Sequence, residues 1–143
     1  MPQVFDSKKT KLTMQDIIIR RVYEEKEKLP MPPDQMIMLI IKELEMPQSE
    51  AITFGNTVFI SHYTQDKTGA FVRMLNVDTA TNLENNGELF LRHLKHRGVQ
   101  NFVSQYDYRG YKKLFARLQK RHLGNVITKD AGDGSFVTCV TLY

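Results

Sequence analysis

One cysteine, four scattered histidines and no long apolar run are what this 143-residue chain has least of. Each shortage excludes something. A lone Cys139 rules out an intramolecular disulfide framework and suits a reducing compartment. It stands in the apolar alternation Phe136-Val137-Thr138-Cys139-Val140, where a buried, inert thiol is expected. No cysteine–histidine spacing fits zinc, so no structural metal is expected. The longest apolar run, Met36 to Ile41, falls far short of the roughly 18–20 residues of a membrane span. The first residues lack a signal peptide's apolar core, which points to a soluble, cytoplasmic protein. No internal repeat or long linker divides the chain, so residues 1–143 are expected to form one domain.

Composition adds little on its own. At 41% hydrophobic and 25% charged, the chain is ordinary globular material rather than disordered or fibrous. Charge placement says more. From Arg92 to Asn125 there are nine Lys or Arg against one acid, Asp107, for a local +8. The remaining residues carry eleven basic and fifteen acidic side chains, or −4, which restores the net +4. This stretch is expected to be a surface that meets phosphates, unless it is only a solvated helix face.

The apolar period sets the elements. Gln3-Val4-Phe5 reads as a short extended segment. Thr13 caps a helix with Asp16 in its first turn and Ile17, Ile18 and Val22 inward; Leu29-Pro30 ends it. Pro33 opens a second helix, Asp34 to Glu45. From Ala51 the period drops to two, and Ile52–Phe54, Thr57–Tyr63 and Ala70–Val77 read as an antiparallel meander. After the polar stretch Asp78–Gly87 comes a helix through Leu89, Leu91 and Leu94, stopped at Gly98. Val99–Ser104 is a strand and Tyr108–Leu123 a basic helix. Val126–Lys129 and Ser135–Leu142 form a last hairpin. The order (β)ααβββαβαββ predicts an α/β (α+β sandwich) fold, a mixed sheet of six to seven strands with helices on both faces.

This succession resembles the GNAT superfamily, the acetyl-CoA-dependent N-acetyltransferases. The likeness spans nearly the whole chain in element order, and residues 70–143 in residue pattern. In that family a loop of the form Gln/Arg-x-x-Gly-x-Gly/Ala holds the cofactor's pyrophosphate on backbone N–H groups at a helix N-terminus. The stretch Asn82-Leu83-Glu84-Asn85-Asn86-Gly87 takes its place here, with Asn85 at the first glycine and Gly87 at the second. The resemblance therefore implies acetyl-CoA contacts at Asn82, Asn85, Asn86, Gly87 and Glu88. It also implies them at the splayed-strand backbone around Met74, Leu75, Asn76 and Val77, with the basic stretch 92–125 beside it for a CoA-type ligand or an anionic or acidic partner. Glu84 and Glu88 depart from the pattern by adding negative charge beside the phosphates. In Tyr108-Arg109-Gly110-Tyr111-Lys112-Lys113-Leu114-Phe115, Phe115 holds the position of a tyrosine that protonates the departing thiolate in active members. Phe115 has no proton to give.

Acyl transfer to an amine otherwise needs a base and an acid near the splay. By position the bases are His62, Asp78, Tyr106 and Asp107, and the acids are Tyr106, Tyr108 and Tyr111. Three functions from different classes fit these residues. The first is an acetyl-CoA-dependent N-acyltransferase with a divergent cofactor loop. The second is a GNAT-like domain without catalysis, structural or interacting, as among tailed-phage virion components. The third is a basic nucleic-acid-binding module, with Tyr106, Tyr108 and Tyr111 interleaved among the cations.

Overall fold

The computed structural model describes residues 12–143, and the expected strand Gln3-Val4-Phe5 lies outside them. Thr13 caps α1 (Met14–Glu24) in a reciprocal capping box with Asp16. That helix stops short of the expected Leu29, because Lys26–Lys28 tightens into a 3-10 turn and Leu29 turns extended before Pro30. Pro33 begins α2 (Pro33–Leu44). The meander is β1 (Ser49–Phe54), β2 (Thr57–Tyr63) and β3 (Gly69–Asn76). Next come α3 (Ala80–His96), β4 (Asn101–Tyr106) and α4 (Arg109–Lys120), and then β5 (Gly124–Asp130) and β6 (Phe136–Leu142).

Six strands form one sheet in the order β1-β2-β3-β4-β6-β5. All neighbours are antiparallel except β3 and β4, which the α3 crossover makes parallel. α1 and α2 cover β1 to β3 on one face, around Ile17, Ile18, Val22, Ile40, Val58 and Ile60. On the other face α3 lies over β1 and β2, and α4 over β5 and β6. Their core holds Phe59 stacked on Phe90 at 4.2 Å, with Phe102, Leu114, Phe115 and Leu118. The expected mixed α/β architecture with helices on both faces is therefore what the chain adopts.

Two local expectations are corrected. Cys139 is exposed rather than buried. Thr138 and Val140 take the inward positions of β6, so Cys139 falls beside Val103 and Ile127 on the face that no helix covers there. Helix α4 ends on His122, whose φ of 60° supplies the left-handed residue, and not on Gly124. Gly124 already belongs to β5, where a Cβ would lie 2.9 Å from the Thr141 carbonyl oxygen.

Candidate active site between the splayed strands

The site begins where the sheet comes apart. β3 and β4 pair at Gly69–Asn101, Ala70–Phe102 and Phe71–Val103, and nowhere beyond. Past Phe71 and Val103 the strands diverge, opening a cleft of about 150 Å³. It is lined by Met74, Leu75, Ser104, Gln105, Tyr106 and Tyr111, with Arg21, Glu25, Arg73, Asp107 and Tyr108 completing its walls. Both parallel strands run their carboxyl ends into this gap, so the N-termini of α3 and α4 lie at the same end of the sheet. The Tyr111 hydroxyl donates to the Met74 carbonyl at 3.3 Å, so the Met74 backbone faces the gap.

The neighbouring residues Leu75 and Val77 present their backbones the other way, which corrects their assignment to the cofactor. The Val77 N–H donates to the Asn56 carbonyl. Bonded residues alternate along an antiparallel ladder, so Leu75, opposite Val58, also faces β2. Met74 and Asn76 are the β3 residues whose backbones look into the splay.

The expected phosphate loop is likewise corrected. Thr79 caps α3, its hydroxyl accepting from the Asn82 N–H and its carbonyl from the Leu83 N–H. The stretch Asn82–Gly87 is therefore the first two turns of a regular helix, and the N–H groups of Asn85, Asn86, Gly87 and Glu88 belong to its internal ladder. None of these residues has a positive φ. Their side chains serve packing and pairing. Gly87 lies against α4, where a Cβ would meet Leu114 at 3.1 Å and Leu118 at 3.3 Å. Glu88 pairs with Arg121 at 2.8 Å and Arg92 at 3.2 Å, Glu84 pairs with Arg121, and Asn85 also accepts from Arg121. These contacts seal α3 to α4 over the place where a pyrophosphate was expected.

Asn86 and Asp78 belong to a buried polar clamp at the rim. The Asp78 carboxylate accepts from the Asn56 N–H at 2.7 Å and from the Asn86 amide at 2.8 Å. Asn86 also donates to Thr57, which donates to Asn76. Gly55, with φ 55°, leaves room for this clamp, since a Cβ there would approach Asn86 Oδ1 to 2.6 Å. Asp78 thus ties the β1–β2 turn to α3 and lies outside the cleft, which removes it from the candidate bases.

The other candidates separate cleanly. His62 contacts Ser49 at 2.8 Å and Glu43 at 2.9 Å, and touches the cleft only through Glu43, which also accepts from Arg73. Tyr106 turns its hydroxyl to Thr138 at 2.6 Å, and burial raises its pKa. Phe115 is core, 6.2 Å from Phe102 and 5.7 Å from Tyr106 between ring centres. Tyr108 alone of the three tyrosines is exposed; its ring lies under the Arg21 guanidinium at 5.1 Å and packs over Gly110. That leaves one tyrosine, not three, for any stacking surface. Among the nine basic residues from Arg92 to Asn125, Arg92, Arg97, Arg117 and Arg121 already meet acids.

Burial pushes the Tyr111 phenol up to about 12. It therefore stays protonated and can donate, but not act as a base. Its raised pKa favours the neutral form, so its contribution is complete below about pH 10 and is lost as pH rises towards 12. A shift of two units corresponds to about 3 kcal/mol. Urea titrations at pH 9 and pH 11.5 should show a steeper loss in wild type than in Tyr111→Phe; equal losses would contradict this placement.

Arg21, Glu25, Arg73, Ser104 and Gln105 are site residues that the sequence reading missed. Arg21 and Glu25, paired at 2.5 Å across one turn of α1, did carry the i,i+4 signal of a shared face. Ser104 carried none, because β4 runs two residues later than its hydropathy suggests.

No protein-family model matches the sequence, and no curated protein does either. Solved structures do. The chain is similar to aminoglycoside 6′-acetyltransferase type Ii, with a TM-score of 0.58 and 11% identity over 91% of this chain and 88% of that one. It is similar to Tetrahymena GCN5, with a TM-score of 0.56 and 14% identity over 90% and 86%. A GNAT-family acetyltransferase from Streptococcus pneumoniae gives 0.52 and 8% over 94% and 98%. The fold is that of the GNAT acetyltransferases.

Proposed function

We propose that this chain is an N-acyltransferase-like protein whose reaction centre is the splay between β3 and β4. The observation that carries this reading is the end of strand pairing at Phe71 and Val103, which turns the Met74 backbone into the gap. The reacting end of an acyl thioester fits such a gap. Its volume is below the roughly 300–1,000 Å³ of whole-ligand pockets, so it suits an acyl group and not a nucleotide. The helical Asn82–Gly87 stretch does not fit phosphates. Acetyl-CoA, when bound, supplies the activated acyl carbon, and its phosphates would be held at the N-terminal turns of α3 and α4, beside Ala80, Thr81, Arg109 and Gly110.

The chain's own groups then take these roles. The Met74 N–H polarises the gap, and the protonated Tyr111 phenol holds the Met74 backbone in place through its carbonyl. Glu25 or Asp107 accepts the proton that the acceptor amine loses. Tyr108, whose hydroxyl has no partner among the described residues, returns a proton to the departing sulfur, the role that Phe115 cannot fill. A second reading, a GNAT-fold protein without catalysis, is favoured by the seal of Glu84 and Glu88 to Arg121 and by Tyr111 occupying the Met74 carbonyl.

Thermal stability separates the two. Acetyl-CoA at about 100 times its dissociation constant should add roughly 2.7 kcal/mol. No shift with either acetyl-CoA or CoA at millimolar concentration would leave only the non-catalytic reading.

A further inference from the structure

Two buried side-chain oxygens among the described residues have no hydrogen-bond partner, Ser61 Oγ and Ser104 Oγ. Only Ser104 is among the residues that line the cleft. Its residue is 1% exposed, so the hydroxyl is cut off from bulk water without compensation. Such an orphan costs about 1–3 kcal/mol and calls for an explanation. The neighbouring hydroxyls are all engaged elsewhere. Thr138, opposite Ser104 in the ladder, bonds Tyr106 at 2.6 Å and Thr128 at 2.9 Å. Tyr111 is spent on the Met74 carbonyl. Ser104 Oγ thus stands without a partner among the described residues, in a residue that lines the same cleft as Met74.

We infer that Ser104 is a catalytic residue, its hydroxyl donating a hydrogen bond to the acyl carbonyl oxygen of a thioester lodged in the splay. This rests on the acyltransferase reading above and adds to it a side-chain donor on β4, facing the backbone donor on β3. In the step it serves, the amine nitrogen bonds to the acyl carbon and the carbon–sulfur bond breaks. The amine's proton goes to Glu25 or Asp107, the thiolate takes one from Tyr108, and Ser104 keeps its own. The hydroxyl stabilises the oxygen as negative charge gathers on it, so its effect is larger on rate than on binding.

The assignment has a signature that a structural serine would not give. Ser104→Ala removes an unsatisfied buried hydroxyl, so the unliganded variant should melt at the wild-type temperature or above it. Acyl transfer from acetyl-CoA to a panel of amines should fall by about 10²-fold, as when one oxyanion donor is removed elsewhere. Calorimetry gives a readout apart from turnover. Wild type should prefer acetyl-CoA to CoA by up to about tenfold, the worth of one neutral hydrogen bond, and Ser104→Ala should erase that preference. Ser104→Thr, which keeps the hydroxyl, should keep the preference. Unchanged transfer and preference in Ser104→Ala would overturn the inference, as would a melting temperature several degrees lower. Wild-type protein that neither binds nor transfers with acetyl-CoA would overturn the acyltransferase reading itself, and the role of Ser104 with it.

Discussion

Gly87→Glu should destabilise the chain by about 4 kcal/mol or more, since an unpaired buried charge alone costs about 3–5. Gly87 is buried between α3 and α4, and even a Cβ would press on Leu114 and Leu118. A glutamate must either displace both leucines or bury its carboxylate among them, and overpacking adds about 1–3 kcal/mol. At roughly 2–4 °C per kcal/mol for a chain of this size, the melting temperature should drop by more than about 8 °C. Gly87→Ala is the control. Its methyl needs only a few tenths of an ångström from two flexible leucines, and helix propensity returns up to about 1 kcal/mol, so it should be near neutral. If Gly87 instead served an open phosphate loop, Gly87→Glu would abolish ligand binding and leave the melting temperature alone.

Asp78→Ala should cost about 3 kcal/mol, because hydrogen bonds to a charged group are worth roughly 1.5–3 and their orphaned partners add to the loss. Removing the carboxylate strands the half-buried Asn56 N–H and one amide hydrogen of the buried Asn86. The Thr57–Asn76 pair behind them loses its support as well. Asp78→Asn keeps one acceptor oxygen and should lose less than half as much. A catalytic base would behave oppositely, with turnover collapsing at unchanged stability in chemical denaturation. That outcome would return Asp78 to the reaction.

These two variants mark where the sequence was legible and where it was not. The element order could be read because its signals are local: Thr13 and Asp16 as a cap, Pro33 at a helix start, the β-branched run through Val58 and Ile60. The splay could be placed near Met74 because a strand–helix–strand crossover forces β3 and β4 parallel. What failed was the boundary of α3. Asp78–Gly87 is polar enough to look like a loop, yet Thr79 can cap a helix there and Leu83, Asn86, Gly87, Phe90 and Leu94 share its inner face. A buried asparagine and a buried glycine give no hydropathy signal, and the Arg121 that neutralises Glu84 and Glu88 lies over thirty residues away. Ser104 was hidden for a related reason. An orphaned hydroxyl is defined by what surrounds it, which periodicity cannot report.

The basic segment also changes meaning. Part of its excess is internal, since Arg92 and Arg121 complete the α3–α4 seam and Arg97 reaches Glu50 at 2.7 Å. The cations without an acid partner among the described residues are Lys95 on α3 and Arg109, Lys112, Lys113 and Lys120 on α4; Arg109 and Lys112 flank the cleft-lining Tyr108 and Tyr111 in sequence, with Lys112 resting on the Phe136 ring. Charge at that position suits the phosphates of a thioester carrier better than it suits the sealed α3 turns.

Amide hydrogen exchange with and without acetyl-CoA tests the central claim most directly. The strand-end amides of Met74–Asn76 and Ser104–Tyr106, and the first-turn amides of Ala80 and Thr81, should exchange more slowly with ligand. Asn85–Glu88 should exchange at the same rate either way, because their N–H groups are already held within α3. Protection that appears at Asn85–Glu88, or that is absent from the two splayed strands, would contradict the account.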